Sequence, residues 1–330
     1  MGSSPRACLS RREFVRRTAM GAVAAAAAGP ILGWRPDLAR AVVIGDGRLP
    51  TLTVDQPVAG VAAAGGSLFA VGGKEGEPRV WSLGSGAGAW HLEAGGSAFP
   101  PGVGLRAVAR SGDGVVAVGS TDGGFGPRPA LFRSSDGRSW DQVEAGLGSQ
   151  PGAFTAVAER DGRLLAVGCR FAEPDVGEPV ATIAAVATAG DPWTTIELAG
   201  VNRVQHGAAT LLASVPEGFL LAVTDVEGLF LYLAAAAQGP WRRIGLPRLE
   251  PPASLVAAGA AGTRTALAGI DALDRGRLWL GGSRGWREVQ LPASLPSTAR
   301  VMGLADRTGS SLVAAGEGGG SSFVEEVTVA

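Results

Sequence analysis

The chain has 330 residues, a formal net charge of −1, 46% hydrophobic residues and only 18% charged residues. Because binding to nucleic-acid phosphates requires a surplus of Lys and Arg, this charge balance argues against a nucleic-acid-binding protein. The hydrophobic share is large enough for a folded core and excludes a disordered chain. No apolar run of about 18 residues follows the N-terminal segment, so we expect no internal membrane span.

The N-terminal segment has the composition of an export signal. It begins with several Arg residues, continues with an uncharged, Ala-rich stretch at 18–33, and has a small-x-small cleavage pattern at 39–41. Residues 10–15 (Ser-Arg-Arg-Glu-Phe-Val) resemble the motif of the twin-arginine export pathway. The resemblance implies that 1–41 is a signal peptide and that the rest is exported folded, to the cell envelope or outside. An amphipathic helix followed by a core helix, or an uncleaved anchor, are the alternatives.

Removal of 1–41 would leave a single cysteine, Cys169, so that no intramolecular disulfide could form. The segment holds seven Arg and two acidic residues, which gives the remaining chain a net charge of −6. Core burial must then supply the stability that disulfides give to many exported domains. We expect Cys169, which follows an apolar strand, to be a buried filler, and the exported chain to be a monomer without a membrane anchor.

The rest of the sequence repeats about every 48 residues. The marker is a short apolar strand, usually ending in Gly, whose end points are 47, 49, 56, 45 and 47 residues apart. A Gly-containing turn precedes each copy, as in a β-hairpin. The six copies lie at 68–72, 115–119, 164–168, 220–224, 266–269 and 313–316.

A tryptophan follows in five copies, at the start of a strand with alternating polar and apolar residues. This alternation indicates a strand with one buried face. An inner strand rich in Ala and Val, the Gly-ended strand, a third strand and the Trp strand make four strands per unit. That pattern is typical of a β-propeller blade. The five tryptophans are Trp90, Trp140, Trp193, Trp241 and Trp286.

We therefore predict an all-β fold in which 42–330 forms a single six-bladed β-propeller. The sixth unit lacks a Trp strand, and 48–54 aligns as an outer strand without its tryptophan. Since a ring of blades must close without open edges, we expect 48–54 to pair with 323–329 and complete the last blade. A β-sandwich or a solenoid is the alternative. The predicted blades cover 58–94, 103–145, 153–199, 206–248, 253–292 and 299–330 plus 48–54.

One hairpin resembles the Asp box of bacterial BNR-repeat, sialidase-like propellers. Its residues are Ser134, Asp136, Gly137 and Trp140, with one residue fewer between Asp and Gly than in that motif. The resemblance implies a structural turn held by the Asp side chain, not catalysis. The sialidase catalytic residues are not recognised in the sequence, and the only Tyr, Tyr232, lies in an apolar strand that we expect to be buried.

Charged residues concentrate in the loops between the second and third strands, which hold 11 of the 28 acids after residue 41. In a propeller these loops share one face, so a charged ring around the axis is expected to form a wet ligand site. His206 and Arg106 are expected near its floor, and ordinary solvated loops are the alternative. The predicted ring consists of Lys74, Asp122, Arg170, Asp225, Asp271 and Glu317.

These features favour an exported, non-catalytic binding or scaffold propeller that recognises cell-wall or extracellular glycan or a protein partner. We expect no metal site and no cofactor, because neither a three-ligand His/Cys/carboxylate spacing nor a phosphate loop occurs. A glycan hydrolase or lyase that uses two rim carboxylates is one alternative, and a purely structural protein is another. Two acids about 5–10 Å apart, one with a raised pKa, would favour the enzyme.

Overall fold

Each repeat forms its own antiparallel sheet in the computed structural model of the chain. Four strands form each of the first five sheets, and three strands form the sixth. Within every sheet the strands are adjacent in chain order, so all of their connections are hairpins. The structure describes residues 57–328 apart from 65, 75, 85–88, 113, 123–125, 149, 173–178, 202–206, 226, 248–253, 272, 274, 292–299, 307–310 and 319–320.

The strands of the first three sheets have the following bounds. The first sheet contains β1 (Val58–Ala64), β2 (Ser67–Lys74), β3 (Glu77–Leu83) and β4 (His91–Ala94), followed by a 3-10 turn at Gly96–Ala98. The second contains β5 (Gly104–Ser111), β6 (Gly114–Asp122), β7 (Pro127–Ser134) and β8 (Asp141–Val143). The third contains β9 (Gly152–Arg160), β10 (Arg163–Phe171), β11 (Pro179–Thr188) and β12 (Thr194–Thr195).

The remaining sheets repeat the same order of strands. The fourth contains β13 (Ala208–Val215), β14 (Gly218–Asp225), β15 (Gly228–Ala234) and β16 (Arg242–Ile244). The fifth contains β17 (Ser254–Ala261), β18 (Arg264–Ile270), β19 (Gly276–Gly282) and β20 (Gly285–Val289). The sixth contains β21 (Arg300–Asp306), β22 (Ser311–Gly318) and β23 (Ser321–Thr328).

The sheets are arranged in a ring. The first strand of each sheet packs against the first strand of the next, and β21 of the sixth sheet packs against β1 of the first. The first strands are therefore innermost and the fourth strands outermost, which confirms the predicted all-β propeller.

The predicted number of blades is wrong. The described residues form five complete four-stranded blades, whereas β21–β23 supply only the first three strands of the repeat. Trp286 in β20 is the last tryptophan of the sequence, so the sixth repeat has no Trp-led fourth strand among the described residues. The segment 48–54, which was expected to complete a sixth blade, lies outside the described residues.

A bulge occurs at the same position in every first strand, and a Gly of the second strand lies beside it in five of the six sheets; Val223 lies there in the fourth. The register between first and second strands shifts by one residue in all six sheets. A Cβ atom on Gly119 would collide with the carbonyl oxygen of Gly104, and one on Gly168 with that of Ala153. The bulged residues are Ala59, Arg106, Thr155, Thr210, Val256 and Met302.

The hydrophobic core lies between neighbouring sheets. Alanine and valine fill the narrow inner part, while bulky side chains fill the wider outer part, as in the cluster that joins Phe132 and Trp140 of the second sheet to Val71 and Val80 of the first. Trp193 and Trp241 occupy equivalent outer positions and are buried. Among the described residues, no helix has the length and apolar composition needed to cross a bilayer.

Candidate functional site

Two faces of the ring differ in their connections. The loop-rich face is the one at which the second strands end and the third strands begin. The opposite face, here called the turn face, carries the hairpin turns between first and second strands and the turns between third and fourth strands. Since antiparallel strands alternate in direction, all six second strands end on the loop-rich face. The predicted ring residues lie within one residue of the ends of these strands.

Two of the predicted ring acids, Asp225 and Asp271, accept hydrogen bonds from backbone N–H groups of their own loops. Asp225 is buried, and its Oδ1 accepts hydrogen bonds from the backbone N–H groups of Glu227 at 2.6 Å and Gly228 at 3.0 Å. Asp271 Oδ1 accepts from the N–H groups of Leu273 at 2.8 Å and Arg275 at 3.0 Å. Both carboxylates therefore stabilise turns. The sequence prediction rested on the charge of the two residues and not on this local role.

Asp271 is also the centre of an ion-pair network. Its Oδ2 accepts from Arg275 Nε at 3.0 Å and from Arg277 Nη2 at 2.9 Å, and Arg277 Nη1 bonds Glu288 at 2.6 Å. Burial alone would raise the pKa of Asp271, but the hydrogen bonds from Arg275, Arg277 and Leu273 lower it well below its ordinary value. The carboxyl group is therefore ionised and held in place at neutral pH.

The other predicted site residues differ in how far the structure describes them. Asp122 and Arg170 are exposed at the ends of β6 and β10, and Arg170 Nη1 donates to Gln150 Oε1 at 3.1 Å. Arg106 is half-buried at the bulge of β5. Lys74 lies in β2 and Glu317 in β22, and the structure does not describe their side chains. His206 lies outside the described residues.

Cys169, next to Arg170, is buried at the end of β10. Burial raises the pKa of the Cys169 thiol to about 12, and the positive charge of Arg106 acts in the opposite direction. At neutral pH the sulfur is a protonated thiol, which is a poor nucleophile.

A small groove opens where the second and third sheets meet on the loop-rich face. Its cavity volume of about 10 Å³ is only about that needed for one water molecule, far below the roughly 300–1,000 Å³ of a typical small-molecule pocket. Of the predicted ring residues, Arg170 contributes to its wall. The lining residues are Pro129, Leu147, Gln150, Pro151, Arg170 and Ile183.

The turn that resembles an Asp box is closed by its own side chains. The backbone N–H of Gly137 donates to Ser134 Oγ at 2.8 Å, and the N–H groups of Arg138 and Ser139 donate to Asp136 Oδ1 at 2.8 and 2.9 Å. Hydrogen bonds from these two N–H groups lower the pKa of Asp136. Trp140 Nε1 donates back to the carbonyl of Gly137 at 2.9 Å.

Side chains that link neighbouring sheets were not singled out in the sequence. Arg160 donates from its guanidinium group to the carbonyl oxygens of Val215 and Pro216 in the next sheet. Glu217 accepts from the N–H of Ser283 at 3.0 Å and from its hydroxyl at 2.5 Å. These contacts lie on the turn face and join residues more than 50 positions apart, for which no local sequence pattern exists.

The described part of the chain contains no group of three or more His, Cys, Asp or Glu side chains that could hold a metal ion. Each carboxyl group with a shifted pKa in this part of the chain has a pKa below its ordinary value. Hydrogen bonds from Ser82 and Arg138 lower the pKa of Glu93, and hydrogen bonds from Ser283 lower that of Glu217. The pKa values of Asp136 and Asp271 are lowered by the contacts described above.

No protein-family profile matches the chain, and no curated protein matches it. Solved structures do match in fold. The GH93 α-L-arabinofuranosidase of Fusarium graminearum with arabinobiose is 12% identical over 82% of this chain and 92% of that chain, with a TM-score of 0.56. Trypanosoma rangeli sialidase in complex with the inhibitor DANA is 11% identical over 88% of this chain and 57% of that chain, with a TM-score of 0.56.

A third similar structure is YCF48 bound to D1 peptide, 14% identical over 85% of this chain and 81% of that chain, with a TM-score of 0.51. At these identities the likeness shows the fold alone, a β-propeller. Propellers of this kind include enzymes and binding proteins, so the fold does not select a function.

Proposed function

We propose that the chain is an exported β-propeller that binds a glycan or a protein partner through its loop-rich face and catalyses no reaction on it. In 1–41, an Arg-rich segment is followed by an uncharged stretch and then by a cleavage pattern. This order supports export by the twin-arginine pathway. Binding is assigned to the loop-rich face because the loops between second and third strands hold 11 of the 28 acids after residue 41.

The state of the carboxylates is the observation that favours binding over hydrolysis. A glycosidase needs one carboxyl group that keeps its proton near neutral pH, close to a second carboxylate. Asp225 and Asp271 are instead committed to backbone N–H groups of their own loops, and Asp271 also to two Arg side chains. Neither is placed to deliver a proton to a substrate.

The test combines binding and turnover on one sample. The purified protein is applied to a glycan array and to a pull-down from the cell envelope, and polysaccharides are incubated with it and analysed by mass spectrometry. We expect saturable binding without new products. A product whose formation stops when a single carboxylate is replaced would contradict the proposal, and so would a protein that binds no glycan and no partner.

A further inference from the structure

The sixth sheet has an outer edge that no described strand covers. β23 pairs with β22 on its inner side over eight residues without a bulge. In each of the other five sheets, a fourth strand pairs with the outer side of the third strand. Along β23, every second backbone N–H and C=O points to the outer edge and meets no strand in the part of the chain that the structure describes. Since this edge is long, regular and without proline, it can template one more strand.

The gap between the fifth and sixth sheets holds no tryptophan among its described residues. In the second to fifth sheets, a tryptophan at or beside the start of the fourth strand packs in the gap toward the preceding sheet. These residues are Trp140, Trp193, Trp241 and Trp286. The described members of the cluster between the fifth and sixth sheets are all aliphatic, and two of them, Val289 and Leu291, are partly exposed. Because the repeats are equivalent, the start of a fourth strand in the sixth sheet belongs at this gap.

The charges of β23 favour one kind of occupant for the edge. Its charged residues are Glu325 and Glu326, and as neighbours in a strand they lie on opposite faces of the sheet. An added strand with Arg or Lys opposite them gains cross-strand pairs of opposite charge, whereas β23 of a second copy would bring like charges together. The edge therefore fits a basic segment of another protein better than a second copy of this chain.

We propose that an extended, basic segment of a partner protein, beginning with an aromatic residue, adds to β23 as the fourth strand of the sixth sheet. The segment pairs antiparallel with β23, as the other fourth strands pair with their third strands. Its aromatic side chain enters the gap between the fifth and sixth sheets, and its basic residues lie opposite Glu325 and Glu326. This surface is on the outer rim of the ring and goes beyond the binding proposed for the loop-rich face.

Titration of the full chain with synthetic peptides, followed by calorimetry, tests the inference. The probe is acetyl-Trp-Thr-Arg-Arg-Val-Thr-Val-amide, whose two Arg residues lie opposite Glu326 and Glu325 when its Trp lies opposite Thr328. Comparison peptides replace the Trp by Ser, both Arg by Glu, or the Val-Thr pair by Pro-Pro. The probe should bind saturably, and each comparison peptide about tenfold more weakly or not at all, because it loses the aromatic anchor, the charge pairs or ladder hydrogen bonds.

Reversal of the charges on β23 should reverse the preference between peptides. The double variant Glu325→Lys with Glu326→Lys should bind the Glu peptide about tenfold more tightly than the Arg probe, because attractive and repulsive cross-strand pairs are exchanged. The matched control is Glu144→Lys, which reverses an exposed charge directly after β8 in the second sheet and should leave the preference for the Arg probe unchanged.

An absence of saturable binding by the full chain would overturn the inference, and this includes the case in which residues of the same chain cover the edge. Equal binding of the Arg and Glu peptides, undiminished binding of the Pro-Pro peptide, or an unchanged preference in the double variant would also overturn it. The binding proposed for the loop-rich face is tested with other ligands, so a failure here leaves that proposal intact.

Discussion

Gly137 of the second blade lies directly against Phe69 of the first. Gly137 is buried with φ 76°, and a Cβ atom on it would lie 2.6 Å from Cε1 of Phe69. The turn around Gly137 is fixed by Ser134 and Asp136, and Arg138 in the same turn bonds Glu93 of the first blade at 2.7 Å. This turn therefore stabilises the contact between two blades as well as its own hairpin.

Gly137→Ala should destabilise the protein by about 2–4 kcal/mol, because it adds a collision with Phe69 to the cost of a left-handed backbone conformation. The matched control is Gly162→Ala, where φ is 75° and no atom lies within 4 Å of the added Cβ. The control should cost only about 1 kcal/mol. Chemical denaturation measures both. Equal losses for the two variants would show that the contact with Phe69 does not matter.

Asp271 should make stability depend on acid pH. Its pKa is lowered in the folded protein, so its stabilisation is present above the unfolded pKa of about 3.9 and is lost as pH falls through the lower folded value. Asp271→Asn should therefore lower the melting temperature at pH 7 and reduce its decline below about pH 4. The control is Asp141→Asn, an exposed residue of β8. A variant with an unchanged acid profile would contradict the role of the Arg275 and Arg277 network.

Cys169 should resist thiol reagents in the folded protein. Burial raises its pKa to about 12, so that at pH 8 both access and thiolate formation are suppressed. In a Cys8→Ser background, labelling by iodoacetamide should be slow without denaturant and complete after unfolding. Rapid labelling of the native protein would show that the end of β10 is open to solvent.

Export should depend on both arginines of the N-terminal motif. Replacing Arg11 and Arg12 by Lys keeps the charge but removes the residues that the twin-arginine resemblance identifies, so precursor should accumulate inside the cell. Cell fractionation detects this accumulation, and mass spectrometry of the exported wild-type protein should give Val42 as the first residue. Normal secretion of the double variant would indicate another export route.

The sequence predicts the blade pattern well because each blade repeats the same local requirements. Gly119 and Gly168 recur where a bulged first strand brings a carbonyl oxygen too close for any Cβ, and Trp140 and Trp193 recur where the gap between sheets widens. These constraints are local in the chain, so their spacing is visible without coordinates. The number of complete blades was misjudged because the sixth repeat, which has no Trp-led strand, was counted as complete on an expected pairing with a distant segment.

The candidate site was less predictable than the fold. Asp225 and Asp271 are charged residues at strand ends, which suggested a ligand-facing ring, yet their carboxylates turn back onto nearby N–H groups. The spacing of Asp225 and Gly228 around a short turn was the available signal for this local role. The groove around Arg170 has no sequence signal, because its walls come from two different sheets.

The most direct test of a binding function on the loop-rich face compares two double variants in the same binding profile. Asp122→Ala with Arg170→Gln changes exposed residues on the loop-rich face, and Asp141→Ala with Arg163→Gln makes the same exchanges at exposed residues on the turn face. Both should keep the wild-type melting temperature within a few degrees, since exposed charges contribute little. We expect only the first variant to lose the glycans or partners captured by the wild type; loss by only the second would contradict binding on the loop-rich face.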